Sequence, residues 1–205
     1  MYSIIQAAGW PIWLLIVSSI AALAIIIERA WSLRSGNIIP SGLLREVVQE
    51  YRQHGVNEAL LKKLIDPRAP LMSRVFASGL KNVGSSREIM KESIEEAGRA
   101  ASIELERFLT TLGTIAAMSP LLGLFGTVVG MIEIFGAGGG STGQNPAELA
   151  HGISVALYNT AFGIIVAVPS MAFYRHFRTK VDQLLVEMEQ QAIKLVEILH
   201  GERQG

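Results

Sequence analysis

Three stretches of this chain, Met1 to Ile27, Phe108 to Ile132 and Leu149 to Tyr174, contain no Asp, Glu, Lys or Arg. A helix rises about 1.5 Å per residue, so crossing a hydrocarbon core of about 30 Å takes roughly 20 apolar residues. Each stretch is long enough to span a membrane as a helix. Half of the residues are hydrophobic and only 18% are charged, a balance that suits membrane spans better than a soluble domain. Ala22-Leu23-Ala24 resembles a signal-peptide cleavage site, but no Lys or Arg precedes the apolar run. Ile25, Ile26 and Ile27 continue it, and Glu28-Arg29 then stop it, so the first stretch reads as a retained span. Trp10 and Trp13 at one end and Trp31 at the other sit where interfacial aromatic belts hold a spanning helix.

The basic residues divide the chain by side. All 18 Lys and Arg fall in two segments, 13 between residues 28 and 107 and five from Arg175 onward, while residues 1–27 and 133–151 have none. Because cytoplasmic loops carry the excess of Lys and Arg, the N-terminus and the second loop are expected outside and the two basic segments in the cytoplasm. The expected protein is all-α. It has an outer N-terminus over 1–9, a first span over 10–31, a cytoplasmic helical domain over 32–107, a second span over 108–135, an outer loop over 136–151, a third span over 152–174 and a cytoplasmic C-terminal helix over 175–205. The absence of cysteine excludes disulfides, thiolate metal sites and cysteine catalysis; the zero net charge is uninformative as a total, and nothing suggests a nucleic-acid partner.

Within the cytoplasmic segment Leu43, Leu44, Val47, Val48 and Tyr51 recur at helical spacing between Ser41 and Gly55. A short helix is expected from Asn57 to before Pro67, and another from about Pro70 to Val83. Ser85 and Glu88 form a capping-box pattern, after which no stop signal appears before Pro120. One helix is therefore predicted over Ser86 to Ile132, kinked at Pro120. Beyond the third span, Val181, Leu184, Leu185, Met188, Ala192, Leu195 and Leu199 mark an apolar stripe that must be buried on another helix, of this chain or of a neighbouring copy. The Gly-rich segment Gly136 to Pro146 reads as a connector, since the GKS or GKT ending of a phosphate loop is missing.

The spans differ in character. The first is bulky, with Leu14, Leu15, Ile16, Ile20 and Leu23, and is expected to face lipid. In the second, Pro120, Gly123, Thr127 and Gly130 share one face, with Gly126 in the same run. In the third, Ala156, Thr160, Gly163 and Ala167 share one face. Small faces let membrane helices approach closely, so a tight bundle and a closed homo-oligomer are expected, because one chain does not obviously supply every partner. Thr127 and Thr160 either bond to a carbonyl one turn back or line a narrow ion path. No ionisable residue lies within 108–132 or 152–174, although a proton relay at mid-depth needs one. Glu133 and His151 stand at the outer ends and read as solvated. A proton-conducting complex must then take its carboxylate from another polypeptide. No HExxH, GxSxG or intramembrane carboxylate pair is present to support an enzyme, and no cofactor or metal is called for.

Two segments carry a specific resemblance. Pro120-Leu-Leu-Gly-Leu-Phe-Gly-Thr-Val-Val-Gly-Met131, and Gly152-Ile-Ser-Val-Ala-Leu-Tyr-Asn-Thr-Ala-Phe-Gly163 followed by Ala167-Val-Pro169, resemble the paired signature of the MotA/TolQ/ExbB proton channel family. Ala8-Gly9-Trp10-Pro11 and Glu28-Arg29 are similar to the ExbB branch, and three spans argue against the four-span MotA branch. The resemblance implies a homopentamer in the bacterial inner membrane, with a pore lined by the second and third spans around an ExbD-like dimer. An aspartate of that dimer takes the proton, and the family threonines facing it fall on Thr127 and Thr160. It also implies a TonB-like energy transducer, which opens outer-membrane transporters. Some relatives have a glutamate where this chain has Val155, so this chain supplies no ionisable group at that position of the third span. A TolQ-like subunit of a Tol-Pal system and a passive membrane scaffold are the alternatives.

Overall fold

The computed structural model describes residues 9–137 and 146–200, so the Gly136 to Pro146 connector and the outer N-terminus lie largely outside the described residues. All regular structure described is helical. The helices are α1 (Pro11–Ser32), α2 (Ser35–Ile38), α3 (Leu43–His54), α4 (Glu58–Ile65), α5 (Leu71–Lys81), α6 (Arg87–Leu105), α7 (Leu109–Ala137) and α8 (Pro146–Leu199). Two compact units divide them: residues 1–29 with 108–176, and residues 30–107 with 177–205.

The first unit holds the apolar runs. At 22 residues α1 measures about 33 Å, and at 29 residues α7 measures about 43 Å, both enough to cross a bilayer. Three stretches of helix among the described residues are long and apolar enough to do so. One side of α1, with Ile12, Leu15 and Ala22, is buried, and Trp10 meets Phe125 edge-on with ring centroids 5.8 Å apart. The other side leaves Val17 and Ile20 each 65% exposed, and Ile132, Ile165 and Val168 are comparably bare on α7 and α8. So many exposed β-branched residues around one small unit suit lipid rather than water. The chain is a membrane protein.

Arg29, which ends the apolar run of the first span, is a charged residue buried within the helix. It lies inside α1 and is only 5% exposed. Its Nη2 donates to Glu28 Oε1 at 2.6 Å, its Nε donates to Glu28 Oε2, and its guanidinium lies 5.6 Å from the centre of the Phe108 ring. A guanidinium this deep needs such partners, because burying an unpaired charge is costly. Phe108 in turn has a φ of 62°, in the left-handed region that penalises every side chain but glycine. It follows Glu106 and Arg107 in a three-residue turn that separates α6 from α7. The single helix predicted over Ser86 to Ile132 is therefore two helices, although α7 does run uninterrupted through Pro120.

The second unit is a helical cluster with a conventional apolar core, in which Val47, Met72, Phe76, Leu80 and Met90 are almost fully buried. The α8 stripe joins this core: Val181, Leu184, Met188, Ala192 and Leu195 are buried, while Leu185 and Leu199 are half-buried. Gly79 of α5 comes so close to α6 that an added Cβ would stand 2.9 Å from Ile94 Cδ1. Polar contacts bind the rim. Ser78 donates to the Ser93 carbonyl at 2.8 Å, Arg74 pairs with Glu104 at 2.9 Å, Arg178 pairs with Glu106 at 3.1 Å, and Lys180 donates to Ser35 at 2.9 Å. Lys63 pairs with Glu46 at 2.6 Å, and this hydrogen bond holds its ammonium above the ordinary lysine range.

The helix starts follow capping chemistry. Asn57 accepts the Leu60 N–H at 2.6 Å to open α4. At α6 the cap is Ser86, accepting from Ile89 N–H at 3.4 Å, and not Ser85. The capping box read from Ser85 and Glu88 therefore does not form. The carboxyl of Glu88 is held below its usual range first by its own backbone N–H and then by the Ser86 hydroxyl.

Candidate functional site

The contact between α7 and α8 is built from residues without bulk. Contacts run in opposite order along the two helices: Gly113 on Tyr174, Ser119 on Gly163, Gly123 on Thr160, Thr127 on Ala156, Ile134 on Gly152. The pair is thus antiparallel. At Gly163 an added Cβ would fall 2.5 Å from the Ser119 carbonyl oxygen, and at Gly123 2.7 Å from the Asn159 carbonyl oxygen. Gly126 lies under the Asn159 side chain, whose Cβ and Cγ would both be 2.8 Å from such an atom, and Gly130 faces Ala156 Cβ at 3.1 Å. Ala156 and Ala167 are buried, and Pro120 is half-buried. The small faces for which the sequence suggested a partner in another copy are, at Gly123, Gly126, Gly130, Ala156 and Gly163, seated on one another inside one chain.

This close approach brings Thr127 and Thr160 together. Their hydroxyl oxygens are 2.5 Å apart, and Thr127 Oγ1 also lies 3.2 Å from both the Gly123 and the Ala156 carbonyl oxygens. Both readings of the threonines therefore apply in part, since Thr127 bonds one turn back and also across the helix pair. Each hydroxyl has one proton to donate and room to accept. When Thr127 donates to a carbonyl, Thr160 donates to Thr127. When Thr127 donates to Thr160, the Thr160 proton is free to turn towards a third group. The pair can thus offer or withdraw a hydrogen-bond donor without disturbing either helix, in apolar surroundings where such a bond is strong.

Three polar residues of this helix pair received no weight in the sequence reading, which searched the spans for ionisable groups. Ser119, Asn159 and Ser170 are all fully buried. Ser119 and Ser170 donate to carbonyls one turn back, at Ile115 and Val166, each at 2.7 Å. Asn159 precedes Thr160 and fits against Gly126, which fixes the register of the threonine. The signal was available: an amide in a membrane helix beside a glycine across the contact.

Towards the C-terminal end of α7 and the N-terminal end of α8 lies a cavity of about 350 Å³. Glu133 and His151 line it with Pro11, Gly130, Val155 and Ala156. The two titratable residues are exposed, as read from the sequence, and Val155 is half-buried in the wall.

The family model of the MotA/TolQ/ExbB proton channel family matches residues 68–190. An ExbB-like biopolymer transport protein of Synechocystis sp. is 33% identical over 163 residues, 78% of this chain and 77% of that protein. Biopolymer transport protein exbB1 of Vibrio cholerae is 28% identical over 190 residues, 90% of this chain and 82% of that one. The Tol-Pal system protein TolQ of Pseudomonas aeruginosa is 30% identical over 161 residues, 73% and 66% of the two chains. A chain of the flagellar MotAB stator complex from Bacillus subtilis shares the fold, with a TM-score of 0.60 over 94% of this chain and 78% of that one, at 21% identity. The segment matched by the family model contains both halves of the α7 and α8 contact with its threonine pair, and this chain belongs to the MotA/TolQ/ExbB proton channel family.

Proposed function

We propose that this chain is the stator and proton-channel subunit of an inner-membrane motor that couples the proton motive force to TonB-dependent outer-membrane transport. One observation carries the reading: a hydroxyl pair, Thr127 with Thr160, stands mid-span between two helices whose apolar runs contain no ionisable residue. Such a wall can solvate a carboxylate but cannot itself hold the proton. In this reading five copies close around an ExbD-like dimer. The dimer's transmembrane aspartate takes the proton, and the hydroxyls hydrogen-bond that carboxylate or a water beside it. Motion of the dimer passes work to a TonB-like transducer.

The relatives named for biopolymer transport support the TonB branch, and the 30% identity to TolQ supports the Tol-Pal alternative. Deleting the chain from its own host separates them. Loss of proton-gradient-dependent uptake through outer-membrane receptors, with an intact envelope, is the expected result. Envelope leakage with undiminished uptake would place the chain in a Tol-Pal system instead.

The reading also fixes an orientation, N-terminus in the periplasm and C-terminus in the cytoplasm, from the confinement of all 18 basic residues to two segments. A periplasm-active reporter fused at Gly140 should be active and one fused after Gly205 silent. Activity at the second site with silence at the first would invert the arrangement.

A further inference from the structure

We infer that the cavity lined by Glu133 and His151 is the periplasmic vestibule from which protons reach the Thr127 and Thr160 pair, with Glu133 as its proton-collecting group. The inference rests on the orientation and stator role given above. Its cavity of about 350 Å³ is large against the roughly 30 Å³ that a water molecule occupies in the liquid. Its lining changes with depth. Glu133 on α7 and His151 on α8 come just beyond the runs 108–132 and 152–174, which hold no Asp, Glu, Lys, Arg or His, and Gly130, Val155 and Ala156 follow further in.

The inner wall touches the proposed proton site directly. Ala156 lines the cavity, and its carbonyl oxygen lies 3.2 Å from Thr127 Oγ1. Gly130 packs so closely on this residue that an added Cβ would stand 3.1 Å from Ala156 Cβ. The cavity and the hydroxyl pair therefore share Ala156 as a common neighbour. From α1 the lining residue is Pro11, so among the described residues the titratable groups facing this space are Glu133 and His151.

A carboxylate at the mouth of a narrow, low-dielectric space raises the local concentration of cations, hydronium included. The Glu133 carboxylate takes a proton from a hydronium ion of the outer solution, leaving water. It then returns that proton to a water inside the cavity and becomes a carboxylate again, and His151 exchanges protons with the same waters through its imidazole. Such a collector matters most when protons are scarce.

The test uses the complex isolated with its native partners, in proteoliposomes, with proton influx measured under a fixed membrane potential at several outer pH values. Glu133→Gln keeps the size of the side chain and removes its charge. It should lower influx about three- to tenfold at pH 8 and less than twofold at pH 6, and Glu133→Asp should restore the wild-type profile. Because the chain has no cysteine, Val155→Cys can be probed alone, and it should react with a membrane-impermeant cationic thiosulfonate from outside. A Glu133→Gln profile equal to wild type, or lowered by the same factor at every pH, overturns the inference, as does an unreactive Val155→Cys in an assembled complex. Thr160→Val in the same assay keeps the two claims apart: full flux there contradicts the stator reading itself, whatever Glu133 does.

Discussion

Gly163→Leu should leave almost no folded, monodisperse protein. A single Cβ at this position would sit 2.5 Å from the Ser119 carbonyl oxygen, and the next nearest atoms are the Cα and N of Gly123. Every one of these is backbone of α7, so no side chain can rotate away, and the helices must separate. Overpacking a core that can adjust costs about 1–3 kcal/mol. Here the separation also breaks the Thr127 to Thr160 bond and lifts Asn159 off Gly126, so even Gly163→Ala should lose about 3 kcal/mol or more. Gly98, inside α6, is the control, because nothing lies within 4 Å of its would-be Cβ. Gly98→Ala should be harmless or stabilise by up to about 1 kcal/mol through helix propensity. Size-exclusion profiles and thermal midpoints in detergent check both. A monodisperse Gly163→Leu protein with the wild-type midpoint would contradict the packing.

Thr160→Val should have the opposite phenotype, sound assembly with activity reduced at least tenfold. Valine nearly matches threonine in shape, so the contact survives and the fold loses one part-buried hydrogen bond, about 1 kcal/mol or less in a membrane protein. The carbonyls of Gly123 and Ala156 keep their helical partners. Function loses the hydroxyl that can turn towards a carboxylate, and leaving a charged oxygen without a donor in an apolar site costs about 1.5–3 kcal/mol, which is roughly ten- to a hundredfold in rate. Thr127→Val should act in the same direction, because it removes the acceptor that positions the Thr160 proton. Thr160→Ser keeps the hydroxyl and should retain most activity. Energised uptake per assembled complex is the readout.

How far the sequence foretold this arrangement depends on which physics each element uses. The apolar spans and the helices of the second unit were legible because charge and helical periodicity are local properties. The meeting of Thr127 and Thr160 was legible only as two small faces, since the pairing also needs the antiparallel register that Gly123 and Gly163 set together. The break at Glu106 to Phe108 was hidden, with neither proline nor glycine to mark it. Its strained Phe108 is accompanied by a tertiary contact with Arg29, 79 positions earlier in the chain (108 minus 29). The cap shifted by one residue because Ser85 and Ser86 are chemically equivalent, and it is Ser86, with extended backbone, whose side chain accepts the Ile89 N–H. Asn159 was overlooked because it does not titrate, although its amide is as costly to bury in lipid as any hydroxyl.

The most direct measurement of the central claim is proton conduction by the isolated complex, with and without the hydroxyl pair. Complexes containing wild-type chain, the double variant Thr127→Val with Thr160→Val, and the double variant Thr127→Ser with Thr160→Ser are reconstituted at equal mass and equal partner content, and proton influx is followed after a pH gradient is imposed. The account predicts influx for wild type and the serine variant, and at least a tenfold loss for the valine variant with its assembly unchanged. Equal influx from an intact valine complex would show that the hydroxyls only hold α7 to α8, and that the proton passes without them.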